Sequence, residues 1–193
     1  MGNNKKELND GKIRVEYFLK EIKRQCEYVF ISIDILNNSL ENHVVRNTFY
    51  AIQNLFTSLG NISKILYPTA KYRHRGKLLR EKLGINDNSQ FFYDHKSEVA
   101  RKYRNILEHY DEYFEDWYNE GDNRIIIENN IGPKNMILMG GLSPKVLRHY
   151  DAQNYKFIFL DDEYDIIPVI NETSEIYNKI IAIEGEKFDF TRK

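Results

Sequence analysis

Residues 41–66 read ENHVVRNTFYAIQNLFTSLGNISKIL, and their apolar side chains recur at steps of three and four residues. That spacing places one apolar stripe along a helix. The stripe consists of Val44, Val45, Phe49, Ile52, Leu55, Phe56, Leu59 and Ile62. Gly60 weakens the helix, and Pro68 ends it because proline lacks a backbone N–H. The pattern predicts an amphipathic helix over residues 41–66 that packs against other helices.

The same periodicity predicts three more helices, one before this helix and two after it. Their expected bounds are residues 10–36, 73–83 and 94–120. The polar run at residues 37–39 (Asn-Asn-Ser) should break the first, and Gly84 and Gly121 should stop the other two. Residues 85–93 should form a loop.

After residue 123 the apolar runs become short and are separated by turn residues, which is typical of β-strands. The predicted strands are residues 124–128, 135–139, 146–150, 155–160 and 164–169. The acidic residues 161–163 should form the turn between the last two, at an exposed hairpin tip. Asn171 should cap a last helix over residues 172–183. The expected fold is therefore mainly α, a bundle of four or five helices with a small antiparallel β-sheet inserted before the last helix.

We expect one domain over residues 1–193. It would contain the helical bundle (10–120), the antiparallel β insertion (123–170) and the C-terminal helix (171–186). Two independent domains are the alternative, but a sheet segment of about 50 residues could hardly fold alone.

Composition narrows the classes of function. The 193 residues are 41% hydrophobic and carry a formal net charge of −1, which excludes a disordered chain and a strongly basic nucleic-acid coat. A single cysteine, Cys26, excludes an internal disulfide and a cysteine-based zinc cluster, and it should be a small buried hydrophobe. With neither a secretory signal nor an apolar run long enough for a bilayer, we expect a soluble, cytoplasmic protein with no membrane partner.

The most informative segment for function is RKYRNILEHYDEYFEDW, residues 101–117. On an ideal helix of about 100° per residue, one arc collects the core-facing residues Val99, Tyr103, Ile106, Leu107, Tyr110, Tyr113, Phe114 and Trp117. The remaining arc carries Arg104, Glu108, Glu112, Asn105 and His109. Arg104 and His109 bracket that polar face, about 140° apart. They could converge only on a ligand laid across the face or on a second copy of the helix.

This segment resembles the HEPN family (higher eukaryotes and prokaryotes nucleotide-binding), whose signature is an arginine, a polar residue and then a histidine on a helix of the bundle. Arg104, Asn105 and His109 match it, with four residues between the arginine and the histidine. The resemblance covers this helix closely and the helical part in outline, but it does not account for residues 123–170. It implies metal-independent RNA cleavage without a cofactor by a two-fold homodimer, as in a toxin or defence effector, with an antitoxin or other protein as a further partner.

The resemblance also implies a role for each polar residue. His109 would take or give a proton at the ribose 2′-hydroxyl or at the leaving oxygen. Arg104 would hold the scissile phosphate and offset the charge of the transition state. Asn105 would orient a phosphate oxygen or His109, and Glu108 and Glu112 would be auxiliary residues beside them.

The residues also allow a non-catalytic reading. Arg104 and Glu108 have the spacing of an ordinary helix-surface ion pair, and His109 could be a structural or surface histidine. Residues 98–116 contain six acids and three bases, a balance that repels phosphate. The alternative is a HEPN-like binding or scaffolding module for a protein partner or a nucleotide.

A basic stretch, KYRHRGKLLREK at residues 71–82, is the second candidate site. It holds six basic residues against one acid, Glu81, with Tyr72 and His74 interleaved. The basic residues are Lys71, Arg73, Arg75, Lys77, Arg80 and Lys82. Charge that follows a phosphate backbone and a ring that stacks a base suit single-stranded RNA. The alternative is a solvated connector. No metal site is expected, because His43, His74, His95 and His149 lack the spacing of metal ligands.

Overall fold

A computed structural model describes residues 2–86, 89–91, 102, 105–106, 108–121, 125–137 and 144–189, and only the backbone of 2–14 and 186–189. The described residues form five α-helices: α1 Gly2–Glu41, α2 Val45–Leu66, α3 Arg73–Leu83, α4 Tyr110–Asn119 and α5 Ile167–Asp189. The strands are β1 Ile126–Ile127, β2 Asn130–Ile131, β3 Lys145–Val146, β4 Arg148–Asp151, β5 Lys156–Phe159 and β6 Asp162–Asp165. The expected fold class, a mainly helical chain with a small sheet before the last helix, is confirmed.

Helix α1 runs through the polar residues 37–39, so the predicted break there is wrong. The hydroxyl of Ser39 donates to the carbonyl of Leu36 at 2.8 Å and lies 2.9 Å from Thr48 Oγ1 of α2. Because the hydroxyl finds these partners inside the protein, Ser39 can stay helical and buried. Helix α2 then begins four residues later than predicted and ends at Leu66, as predicted.

Helices α1 and α2 pack along each other and form the centre of the core. Ile22, Cys26 and Val29 of α1 are fully buried, as is Phe56 of α2. Burial raises the pKa of the Cys26 thiol to about 12, so the thiol stays protonated and acts as a small apolar side chain. The expectation of a buried, unreactive cysteine is confirmed.

Helix α3 has the predicted bounds, and Gly84 ends it with φ +57°. Only glycine adopts this left-handed conformation at little cost. The N–H of Ile85 then reaches the carbonyl of Arg80 at 2.9 Å, which closes the end of the helix. At the other end of α3, Gly76 lies against Pro68. This contact brings the helix close to the end of α2.

The sheet is mixed rather than purely antiparallel. Its four strands lie in the order β2-β4-β5-β6, and β4, β5 and β6 pair antiparallel as expected. Strand β2 pairs parallel with β4, and β1 pairs parallel with β3 in a separate two-stranded ladder. The strand predicted at residues 135–139 is wrong over its described part: Lys134–Ile137 is a 3₁₀ helix. There the N–H of Met136 bonds to the carbonyl of Pro133, and the N–H of Lys134 bonds to Asp151 Oδ2.

The hairpin between β5 and β6 turns at Leu160 and Asp161, which both have positive φ (+50° and +65°). Two such residues match the twist of the flanking strands. The acidic cluster is therefore divided, with Asp161 in the turn and residues 162–163 in β6. The carboxylate of Asp161 accepts hydrogen bonds from the N–H of Val146 at 2.7 Å and from Trp117 Nε1 at 2.6 Å. These bonds attach both β3 and α4 to the turn.

The last helix starts at Ile167, so the cap predicted at Asn171 and the strand predicted to reach residue 169 are wrong. Asp165 ends β6, and its Oδ1 accepts the N–H of Ile167 at 3.1 Å. Pro168 lies in the first turn of the helix, where its missing N–H has no cost.

Aromatic side chains join the sheet to the helices. The ring centroid of Phe56 on α2 lies 5.8 Å from that of Phe157 on β5 and 5.7 Å from that of Tyr164 on β6. All three belong to one buried cluster that draws on helices and strands alike. The described helices do not include one long and apolar enough to cross a bilayer.

The contact at Gly76 gives a prediction about stability. A Cβ at this position would lie 2.4 Å from Pro68 Cδ and 2.6 Å from the carbonyl oxygen of Leu66. We expect Gly76→Ala to lower the free energy of unfolding by about 1–3 kcal/mol, because both neighbours are held in place. Gly185→Ala is the control, since a Cβ added at this position would have no other atom within 4 Å. This substitution should stabilise α5 by about 0.5–1 kcal/mol. Urea unfolding curves measure both; equal effects would contradict the close contact.

Asp151 gives a second prediction. The carboxylate is 2% exposed and accepts hydrogen bonds from the backbone N–H groups of Lys134, Gln153 and Asn154. Burial opposes ionisation, but these bonds and one from the Asn154 amide outweigh it and lower the pKa of Asp151. Because the folded pKa lies below the unfolded one, the ionised group stabilises the fold above about pH 4. That stabilisation is lost as the pH falls through the folded pKa.

We therefore expect Asp151→Asn to destabilise the protein by about 1–3 kcal/mol at pH 7. The difference from wild type should shrink below pH 4. Asp34→Asn, at an exposed position on α1, should change stability by less than about 0.5 kcal/mol at either pH. Thermal unfolding at pH 7 and pH 3 checks both expectations. If Asp151→Asn lowers stability relative to wild type by the same amount at both pH values, the charge of Asp151 is not the cause of the loss.

Candidate functional site

His109 lies at an interruption of the helix that carries the motif. Its φ and ψ are −120° and +38°, outside the helical range, and α4 begins at the next residue. The backbone bonds continue around it: its N–H reaches the carbonyl of Asn105, and its carbonyl accepts the N–H of Tyr113, both at 3.1 Å. The single straight helix predicted for residues 94–120 is therefore wrong at His109. Angles taken from an ideal helix do not carry across it.

The imidazole of His109 is exposed, and it makes no hydrogen bond or ion pair with the described residues. A histidine that caps or supports the helix would bond to it, but His109 makes no side-chain cap bond. The ring is therefore accessible for proton transfer with a bound molecule. His109 is one of the two catalytic residues expected in the site.

The other residues of the motif are placed only in part. Arg104 lies outside the described residues. Asn105 is half-buried, and Glu112 is exposed. Both carboxylate oxygens of Glu108 accept from Lys64 Nζ of α2, at 3.2 and 2.9 Å. Glu108 thus fixes the segment before His109 to the end of α2.

The core-facing stripe predicted for this segment is confirmed at four of the five members that the structure describes. Ile106 and Trp117 are buried, and Tyr110 and Phe114 are half-buried against the core. Tyr113 is the exception, with 46% of its surface exposed. Val99, Tyr103 and Leu107 lie outside the described residues. The exposed side of α4 is acidic, as expected, and carries Asp111, Glu112, Glu115 and Asp116.

Arg148 of β4 is a basic residue beside the motif that the sequence did not reveal. Its guanidinium centre lies 5.7 Å from the ring centroid of Tyr110, the residue after His109, and 5.6 Å from that of Phe159. Arg148 also pairs with Glu128 at 3.2 Å. Forty residues separate it from the motif, and only the pairing of β4 with β5 brings it there. No local pattern could have indicated this contact.

Two arginines of the basic stretch support the structure. The Arg75 guanidinium centre lies 4.1 Å from the Phe18 ring centroid, and burial lowers the pKa of this group. Arg80 Nη1 donates to the carbonyl of Leu66 at 2.5 Å, and its guanidinium lies 4.5 Å from the ring centroid of Tyr67. Both side chains join α3 to neighbouring helical segments.

The rest of the basic stretch remains on the surface. Lys71, Tyr72, Arg73 and Lys77 are exposed. Lys71 lies over the Tyr72 ring at 5.3 Å, and Lys77 makes a loose ion pair with Glu81 at 3.7 Å. The predicted RNA-binding residues therefore divide into two groups, and only this one is exposed to solvent.

The remaining described histidines do not extend the site. His149 is fully buried, and Asn130 Nδ2 donates to its Nδ1 at 3.0 Å. Burial lowers the pKa of His149, so its ring stays neutral near pH 7. Within the described part of the chain, no three His, Cys, Asp or Glu side chains are grouped as metal ligands would be.

A pocket of about 520 Å³ beside α4 is lined by Asp116, Glu120 and Asp162, with Lys102 already 2.7 Å from Asp162. Its charge repels phosphate.

Another pocket, of about 970 Å³, lies between residues 134–137 and the sheet, and its lining includes no residue of the motif. Its charged side chains already have partners. Lys134 pairs with Glu163 at 2.6 Å, and Lys145 donates to backbone carbonyls at the end of α4. Asp151 and Asp161 accept the hydrogen bonds described above.

Because the basic stretch divides in this way, replacing two arginines of α3 should have different effects on the stability of the protein. Arg80→Ala should lower the free energy of unfolding by about 1–3 kcal/mol, because the Leu66 carbonyl loses a charged donor. Arg73→Ala should change it by less than about 0.5 kcal/mol, because this exposed side chain makes no bond or ion pair with the described residues. Chemical denaturation measures the two differences; an Arg80→Ala protein as stable as wild type would show that the bond contributes nothing.

Comparisons of this chain with protein-family models, with curated proteins and with solved structures find no match.

Proposed function

We propose that this protein is a metal-independent endoribonuclease of the HEPN type that acts as a homodimer. The observation that carries the proposal is the exposed imidazole of His109 at the interruption before α4, which makes no hydrogen bond or ion pair with the described residues. In the proposed dimer, Arg104 of one subunit and His109 of the other line the same cleft and together form the site. The cytoplasm, where RNA substrates are present, is the proposed location, and a toxin or defence effector is the proposed role.

The chemistry requires one proton to leave the ribose 2′-hydroxyl and one to reach the departing 5′ oxygen. The 2′ oxygen attacks the adjacent phosphorus, the bond to the 5′ oxygen breaks, and a 2′,3′-cyclic phosphate results. His109 transfers one of these protons, since an imidazole can do so near neutral pH. Arg104 offsets the charge that builds on the phosphate oxygens.

A dimer answers a geometric requirement of this mechanism. Arg104 and His109 are five positions apart in the sequence, and on a regular helix side chains at that spacing do not face each other. A two-fold contact between copies brings the arginine of one subunit toward the histidine of the other. The exposure of the His109 ring leaves it accessible to such a contact.

A non-catalytic binding module is the second candidate, and the acidic face of α4 favours it. Asp111, Glu112, Glu115 and Asp116 are exposed beside His109. This surface would attract a basic protein partner and repel a phosphate backbone. Under this reading His109 has no role in chemistry, and the protein binds its partner without cleaving RNA.

Replacing His109 separates the two candidates. We expect His109→Ala to reduce cleavage of single-stranded RNA by about 10²- to 10⁴-fold, because proton transfer is lost. The protein should stay folded, since the ring is exposed. His43→Asn is the control: His43 is exposed with φ +55°, a conformation that asparagine tolerates, and activity should be unchanged. Gel analysis of end-labelled RNA, with and without EDTA, measures cleavage.

Two results would rule out the nuclease: cleavage that survives His109→Ala, or cleavage that EDTA abolishes. The composite site is tested by mixing. Inactive Arg104→Ala and His109→Ala proteins, unfolded and refolded together, should regain activity, because mixed dimers contain one intact arginine and one intact histidine. If the mixture is as inactive as its parents while mixed dimers form, the site does not span two subunits.

A further inference from the structure

A pocket of about 540 Å³ lies between the first turns of α2 and the sheet. Arg46 and Tyr50 line it from α2, and Arg148 and Phe157 line it from β4 and β5. Its volume is in the range of pockets that hold small ligands. Nothing in the ribonuclease mechanism above uses it.

The pocket is positively charged. Arg46 is exposed and makes no hydrogen bond or ion pair with the described residues. Arg148 shows 25% of its side chain to solvent, and the described lining includes no carboxylate. Helix α2 also begins here without a side-chain cap and without an acidic residue in its first turn, so the positive end of its dipole is not offset by a neighbouring acid. Two arginines that line one cavity suit a phosphate.

The rest of the lining suits a flat ring. Tyr50 is 61% exposed, a high value for a tyrosine at the edge of a cavity, and it offers a face for stacking. Phe49 and Phe157 form an apolar floor, with ring centroids 6.3 Å apart. The amides of Gln53 and Asn129 stand at the rim and can both donate and accept hydrogen bonds. Phosphate-binding groups beside a stacking surface and amides match a nucleotide.

The pocket is connected to the motif through one side chain. Arg148 lines the pocket, and its guanidinium lies 5.7 Å from the ring centroid of Tyr110. Tyr110 directly follows His109. The basic lining of the pocket therefore extends to the residue that follows His109 in the chain.

We propose that this pocket binds one nucleotide of a single-stranded RNA, with the phosphate held by Arg46 and Arg148 and the base stacked on Tyr50. The choice of RNA over a free nucleotide rests on the proposed ribonuclease function. The pocket thereby serves as a substrate subsite that lies away from the bond that is cut. The acidic face of α4 makes such a subsite necessary, because the surface around His109 itself repels the strand.

The test is the affinity of the whole protein for a fluorescein-labelled 12-nucleotide RNA of mixed sequence, measured by anisotropy at several salt concentrations in the His109→Ala background. We expect Arg46→Ala to weaken binding about tenfold through loss of a charged contact. The salt dependence should become shallower by about 0.7 in log–log slope. Tyr50→Ala should also weaken binding about tenfold. Circular dichroism confirms that each variant is folded.

Matched controls lie on α1. Arg24→Ala removes a guanidinium that is 57% exposed, and Tyr17→Ala removes a ring that is 69% exposed. Both should leave RNA affinity unchanged within about twofold. Equal losses for the pocket and control variants, no loss at the pocket, or no RNA binding by the protein would each overturn the proposal.

Replacing Glu128 should change the affinity for RNA in the opposite direction. Its carboxylate pairs with Arg148 at 3.2 Å and competes with a phosphate for that guanidinium. Glu128→Gln should therefore tighten RNA binding by about two- to fivefold, the effect of an exposed ion pair. Weaker binding by this variant would show that Arg148 needs Glu128 and does not hold a phosphate.

Two further comparisons test the identity of the ligand separately from the cleavage reaction. Adenosine monophosphate should compete only weakly with the oligonucleotide. If it binds as tightly, and Arg46→Ala removes both, the ligand is a free nucleotide and the RNA assignment is wrong. If wild-type protein binds RNA through the pocket without cutting it, the subsite stands and the nuclease fails. If it cuts RNA and the pocket variants bind and cut normally, the nuclease stands and the subsite fails.

Discussion

The carboxylate of Asp161 holds together the part of the molecule on which the candidate site depends. One of its oxygens accepts from the backbone of Val146 and the other from the indole of Trp117, so a two-residue hairpin turn is bonded to both β3 and α4. Lys145 adds bonds from its ammonium group to carbonyls at the end of α4, at Trp117 and Glu120. These bonds hold the far end of α4 against β3 and the turn, and His109 lies at the start of the same helix.

The position of α4 decides which charges surround His109. Tyr110 stacks on Phe159 at 6.0 Å between centroids, and Arg148 lies over both rings. The sheet thus supplies a basic residue on one side of the motif, while α4 exposes acids on the other. Under the proposed function, an RNA strand would approach His109 from the sheet side, where the pocket lies. The same proposal would give the inserted sheet, which the family resemblance leaves unexplained, a role in binding the substrate.

The sequence predicted what depends on local pattern and missed what depends on distant partners. Pro68 indicated where α2 ends, and Gly84 indicated the end of α3 through its left-handed conformation. Asn-Asn-Ser at 37–39 failed to end α1 because Ser39 finds Thr48 across the helix pair. The contact of Arg148 with Tyr110 depends on the docking of α4 on the sheet, and the interruption at His109 lies within an apolar pattern that continues through it. Neither leaves a periodic signal.

The most direct measurement is a crosslinking experiment on the wild-type protein with a single-stranded RNA that carries 4-thiouridine and 2′-O-methyl groups, which block cleavage. If one strand occupies the pocket and passes His109, mass spectrometry will find crosslinked peptides that contain Tyr50 and others that contain Tyr110. Crosslinks confined to residues 71–82, or none above those of a protein with Arg46→Ala and Tyr50→Ala together, would contradict a substrate path across the sheet.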